Sequence, residues 1–152
     1  MAHAREAIRK ALITALTGLP TTGDNVGGRT SRADAASTNA SLRVLVMQSP
    51  EVTSSEDGAD EIGPYQERDL PVRIEGRVRG RADLEDALDD ICAEVEQALA
   101  GNAALNSIVS SIDLRATWAE ISGELEKELG LVTMDWNVVY RVDYSAPTAP
   151  QP

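Results

Sequence analysis

Carboxylates are the most numerous reactive groups in this chain: 25 Asp and Glu, against one histidine and one cysteine. Acid–base catalysis needs two carboxyls whose surroundings push their pKa values apart, and in so acidic a chain any pairing made from sequence is arbitrary. The densest acidic run is Glu51, Glu56, Asp57, Asp60, Glu61, Glu67 and Asp69, interrupted only by Arg68. A calcium loop would require alternating Asp followed by Gly, which this run lacks. His3 falls at an N-terminus expected to fray, so a catalytic triad or a histidine metal site has no histidine to use. Cys92 lies at the edge of an apolar helical stripe, where a packed, inert thiol is expected. No nucleophile elbow, Walker loop or paired-cysteine spacing occurs. The reading is a non-enzyme, with no catalytic residue, no cofactor and no metal.

What remains is binding chemistry. The stretch from Leu70 to Gly80 alternates: Leu70, Val72, Ile74 and Val78 on one face, Arg73, Glu75, Arg77 and Arg79 on the other. This is the one basic stripe in an acidic protein. Two uses fit it: cross-strand pairing with Asp135 and Asp143, or contact with an acidic surface of another subunit. Arg73, Arg77, Arg79, Asp135, Arg141 and Asp143 are therefore the candidate subunit or tube interface. The loop from Glu51 to Asp69, with Glu51, Glu56, Asp57, Asp60 and Glu61, is expected to order only on assembly, because its composition cannot bury enough apolar surface.

These side chains need a frame. The clearest element runs from Val132 to Tyr144, apolar at every second residue: Val132, Met134, Trp136, Val138, Tyr140, Val142, Tyr144. That is a long strand with one dry and one wet face, bent by a bulge or reaching past its own domain. Leu42 to Met47 is a short strand, apolar on both faces apart from Arg43 and so expected to be central. Ile112 to Ile121 is another, with Ile112, Leu114, Ala116 and Trp118 on one face, and it forms a hairpin with the last strand. Pro71 suggests a strand start or an edge.

Two helices complete the frame. Ala4 to Thr17 carries the apolar stripe Ala4, Ala7, Ile8, Ala11, Leu12, Ala15, Leu16, stopped by Gly18 and Pro20. Leu84, Leu88, Ile91, Val95 and Leu99 mark a second helix with Asp83 as its cap and an acidic, solvated outer face. A further helical turn is expected after Ala103, and a turn with a short strand near Val26. The fold class is α+β, a mostly antiparallel sheet with two helices packed on one face. Residues 1–145 form a single domain, and residues 146–152 a disordered tail.

Composition sets outer bounds. The formal net charge of −11 opposes nucleic-acid binding and favours solubility. One cysteine excludes an internal disulfide framework and fits a reducing cytoplasm. No apolar run approaches the ~20 residues that span a bilayer, and no secretory leader is expected.

The order of elements resembles the tail terminator proteins of long-tailed phages, the family of the phage lambda tail protein U. The resemblance is carried by the helix Arg5 to Leu12 closing at Thr17-Gly18-Leu19, the strand Leu70 to Gly76, the acidic helix Asp83 to Glu96 and the strand Trp136 to Tyr144. It spans most of Ala4 to Tyr144 as a pattern of elements. It implies a homo-hexameric ring that caps the tail tube, stops its polymerisation and presents a surface to the head–tail connector or neck protein. DNA would pass through the channel without specific binding. The location implied is the head-proximal end of the tail in the virion, after synthesis in the host cytoplasm, with no membrane involved. Two alternatives stay open: a head–tail joining or neck completion protein, and a cytoplasmic dimeric regulatory or ligand-binding α+β domain.

Overall fold

The computed structural model describes residues 2–29, 40–55, 65–80, 83–123 and 128–152. In chain order the elements are α1 (Ala4–Leu16), β1 (Val26–Gly27), β2 (Ala40–Val46), β3 (Val52–Ser55) and β4 (Tyr65–Arg79). They continue with α2 (Leu84–Ala100), α3 (Ala103–Asn106), β5 (Ser111–Ser122), β6 (Leu129–Asp143) and β7 (Ala146–Gln151).

Two strands of 15 residues, β4 and β6, form the spine of the sheet and pair antiparallel from Tyr65↔Asp143 to Arg79↔Leu129. Each carries two shorter strands end to end on its free side. β2 covers Val72 to Val78 of β4 and β3 covers Gln66 to Asp69; β5 covers Leu129 to Val139 of β6, and β7 pairs beyond it at Arg141 and Asp143. The two-residue β1 pairs β2 in parallel and is the exception in an antiparallel sheet. The class is α+β, as the periodicities require.

Alternation explains which face is dry. Leu70, Val72, Ile74 and Val78 of β4 and Val132, Met134, Trp136, Val138, Tyr140 and Val142 of β6 are buried in one cluster. Ile8, Leu12 and Leu16 of α1, and Leu88, Ile91, Val95 and Leu99 of α2, close it from the same side. Two glycines set how near α2 lies. A Cβ at Gly76 would stand 2.8 Å from Ile91 Cγ2, and one at Gly130 would stand 3.1 Å from Leu88 Cδ1. Both positions face the helix, so the bare backbone lets it settle on the sheet. Gly18, at φ 87°, ends α1 as expected, and Glu94 of α2 accepts from the Thr21 N–H (2.7 Å) and hydroxyl (2.6 Å). Glu94 thus ties the following turn to α2 and is not part of a purely solvated face.

Four expectations are corrected. Pro71 lies mid-strand, not at a start or an edge. Its carbonyl accepts from Met47 N–H at 3.2 Å, so its missing N–H points into the gap where β2 has ended and β3 has not begun. The segment from Glu51 to Asp69 is no continuous loop, because β3 and the start of β4 pair within it; Glu56, Asp57, Asp60 and Glu61 lie outside the described residues. Residues 146–152 are not a disordered tail: Ala146–Gln151 is an edge strand on β6 that packs against α1. Prolines at 147 and 150 hide it in the sequence, yet an edge strand needs donors on one side only. Finally, Ala116 and Trp118 do not share a face with Ile112 and Leu114. The register shifts between Leu114 and Ala116, and this bulge turns Trp118 to the open face of the sheet, opposite Thr133.

Candidate functional site

The face of the sheet turned away from the helices holds the predicted arginine stripe. On β4 it presents Glu67, Asp69, Arg73, Glu75 and Arg77, all half-buried, and Arg79, exposed at the strand end. Register sets opposite charges against each other: Arg43↔Glu75, Arg73↔Asp135 and Glu67↔Arg141. Such a ladder follows from sequence alternation once the register is known, because directly opposed residues share a face.

At its centre Arg73 grips Asp135 with both prongs of the guanidinium, Nε to Oδ1 at 2.8 Å and Nη2 to Oδ2 at 3.2 Å. Its guanidinium carbon also stands 5.2 Å from the centre of the Trp118 ring. The carboxylate hydrogen bond holds the Arg73 pKa above its ordinary value, so the charge is fixed. Fixed geometry is what the fork-to-carboxylate match provides, more than energy, since both side chains are about a third exposed. Beside them opens a cleft of about 410 Å³ whose polar lining includes Asp69, Arg73, Arg115, Asp135 and Asn137. Two cations and two carboxylates make it neutral in sum, which suits hydrogen-bonded contact with a mixed polar surface.

The other predicted interface residues part ways. Arg77 stands opposite Ser41 and Leu131, and Arg141 opposite Glu67. Asp143 turns to local work: its Oδ1 accepts from Ser145 N–H (2.8 Å) and Oγ (2.7 Å), which lowers its pKa and fixes the β6–β7 turn. Both bonds fall on the same oxygen of this carboxylate.

On the opposite face lies a polar cluster that the sequence did not disclose. Glu51, 6% exposed at its side chain, accepts from Arg5 Nη1 at 2.8 Å and from the Tyr140 hydroxyl at 2.7 Å, with Arg68 Nη1 at 3.9 Å. Arg68 in turn lies 2.8 Å from His3 Nε2. Glu51 is thus committed inside this subunit, so the expectation that it waits in a loop for assembly is corrected. The physical reason is that two guanidinium groups and a phenol compensate its charge where water cannot.

The contacts constrain the protonation of His3. Arg68 can only donate, so Nε2 accepts. The 3.2 Å contact from Arg5 N–H to Nδ1 would need that nitrogen bare too, and a neutral imidazole leaves just one bare. Neither contact admits an imidazolium, in keeping with a His3 pKa lowered by burial and by the charges of Arg5 and Arg68. His3 is half-buried at the N-cap position of α1, not exposed beyond the helix. Burial first, then the bond to Glu51, pushes the Tyr140 phenol up to about 12. The signal that was missed is His3 and Arg5 at a helix start together with Tyr140 at a core position. Each reads as ordinary until the fold brings them together.

No protein-family model matches the chain, and a search among curated proteins finds no relative.

Proposed function

We propose that the chain is the subunit of a ring that terminates a phage tail tube: it caps the tube, halts its growth and presents the other side to the head or neck. The observation that carries the reading is the second half of β5. From Arg115 to Ser122 this strand is exposed on both faces, with Trp118 at 40% and Ile121 at 45%. A strand edge with large apolar side chains in water is a surface kept for pairing, since monomers blunt such edges with charge, proline or a covering element. The open face, with its opposed charges and neutral cleft, adds a polar plate against which a second protein can register.

A tube of stacked rings has no intrinsic end, so its terminator must mate on one side and refuse on the other. A subunit with a sheet face, a strand edge and a helical face has chemically distinct surfaces for those tasks. The reading assigns no reaction to the protein and places it at the head-proximal end of the tail. The experiment has two steps. Mass in solution with electron microscopy should give rings with a central hole. Purified protein added to overlong, uncapped tubes should then stop their growth. Compact dimers would favour a regulatory domain, and rings that leave tube length unchanged would favour a neck protein.

A further inference from the structure

Among the described residues, the clefts at the two lateral edges of the sheet carry opposite charge. At the β1–β2 edge a cleft of about 500 Å³ is rimmed by Arg9, Lys10 and Arg29, with Ile13 and Val46 among its apolar lining. This is a basic groove on a protein of net charge −11. At the far edge, where β5 ends, a cleft of about 280 Å³ is rimmed by Asp83, Glu85, Asp86 and Glu128 around the exposed Ile121. The strand order β1-β2-β4-β6-β5 puts the two clefts on opposite sides of one sheet.

We infer that the β5 edge of one copy docks against the β1–β2 edge of the next, acidic rim to basic rim, with Ile121 directed at the apolar lining beside Ile13 and Val46. The inference rests on the ring reading above and names the surfaces that close the ring. Charge decides among the ways two copies could meet. A two-fold dimer through β5 would set acidic rim on acidic rim, and one through β1–β2 would set basic on basic; both are repelled. Of these three arrangements only the head-to-tail one pairs unlike charges at every contact, and a head-to-tail contact repeated by a rotation that closes gives a ring. The exposed Trp118 and Ile121 supply the apolar area that such a contact removes from water.

The test uses two charge-reversed versions of the full chain, R9E/R29E and E85K/D86K/E128K, with circular dichroism to verify folding. The first has two acidic edges and the second two basic ones. Each alone should associate at least about tenfold more weakly than the wild type by sedimentation, and an equimolar mixture should recover assembly by alternating the two. If both variants assemble alone like the wild type, or the mixture recovers nothing, the edge pairing is overturned while the ring can stand. If the wild type itself remains a lone subunit at high concentration, the ring reading falls with it. Should a reversed chain fold poorly, I121D carries the same test: loss of assembly supports the contact, and unchanged assembly overturns it. Added salt should likewise weaken wild-type assembly, and indifference to salt would count against a charge-selected contact.

Discussion

A guanidinium, a carboxylate and an aromatic ring meet on each side of the sheet, and the two sets do different work. On the helix side, Arg5, Arg68, Glu51 and Tyr140 are packed under α1, with Glu51 almost free of solvent. On the open side, Arg73, Asp135 and Trp118 make similar contacts within reach of water. The same chemistry becomes a structural staple where water is excluded and a presentable surface where it is not. Removing a partner from a buried pair leaves a charge unsolvated, whereas an exposed charge that loses its partner is taken up by solvent.

The contrast predicts unequal losses. Glu51→Ala should cost about 3 kcal/mol of folding stability, measured by urea unfolding, since it takes the carboxylate from Arg5 and Tyr140 and the nearby countercharge from Arg68. A loss as small as that of an exposed pair would remove the distinction between the faces. Tyr140→Phe should cost about 1–2 kcal/mol by leaving one Glu51 oxygen without its donor.

The same phenol gives a pH signature. Its folded pKa of about 12 lies above the ordinary 10.0, so its contribution is fully present below pH 10 and is lost as pH rises toward 12. Alkaline unfolding should therefore steepen in that window for the wild type and less so for Tyr140→Phe. On the open face, Arg73→Ala should change stability by less than about 1 kcal/mol. If that face serves assembly, the same substitution should weaken tube capping far more than it weakens folding.

The smallest effect concerns His3, the sole histidine, which makes its titration easy to isolate by NMR. Its folded pKa lies below 6.5, so the neutral form is favoured by folding and stability is lost as pH falls below 6.5. A midpoint at or above 6.5 would show that Arg68 does not face it in solution.

Most strands and both long helices could be read from periodicity because their buried faces are apolar, and burial of apolar surface repeats with the period of the element. Where the buried partner is polar, the pattern fails. The β3–β4 hairpin reads as an acidic loop because what it buries, Arg68 beside Glu51, is charged. The edge strand β7 reads as a tail because of its prolines. The bulge at Arg115 inserts one residue and reverses every side chain after it, so correct alternation led to the wrong face for Trp118.

Of the candidate surface, the sequence by itself determined the arginine stripe and even offered Asp135 as a partner, since strand residues two apart share a face whatever the fold. Only the tertiary structure decided that Arg73 and Asp135 are directly opposed, that Asp143 closes its own turn and that Glu51 is buried with Tyr140, 89 residues away. Local spacing constrains which side chains share a face; register, a single bulge and the docking of α1 decide which of them meet, and those are properties of the packed chain alone.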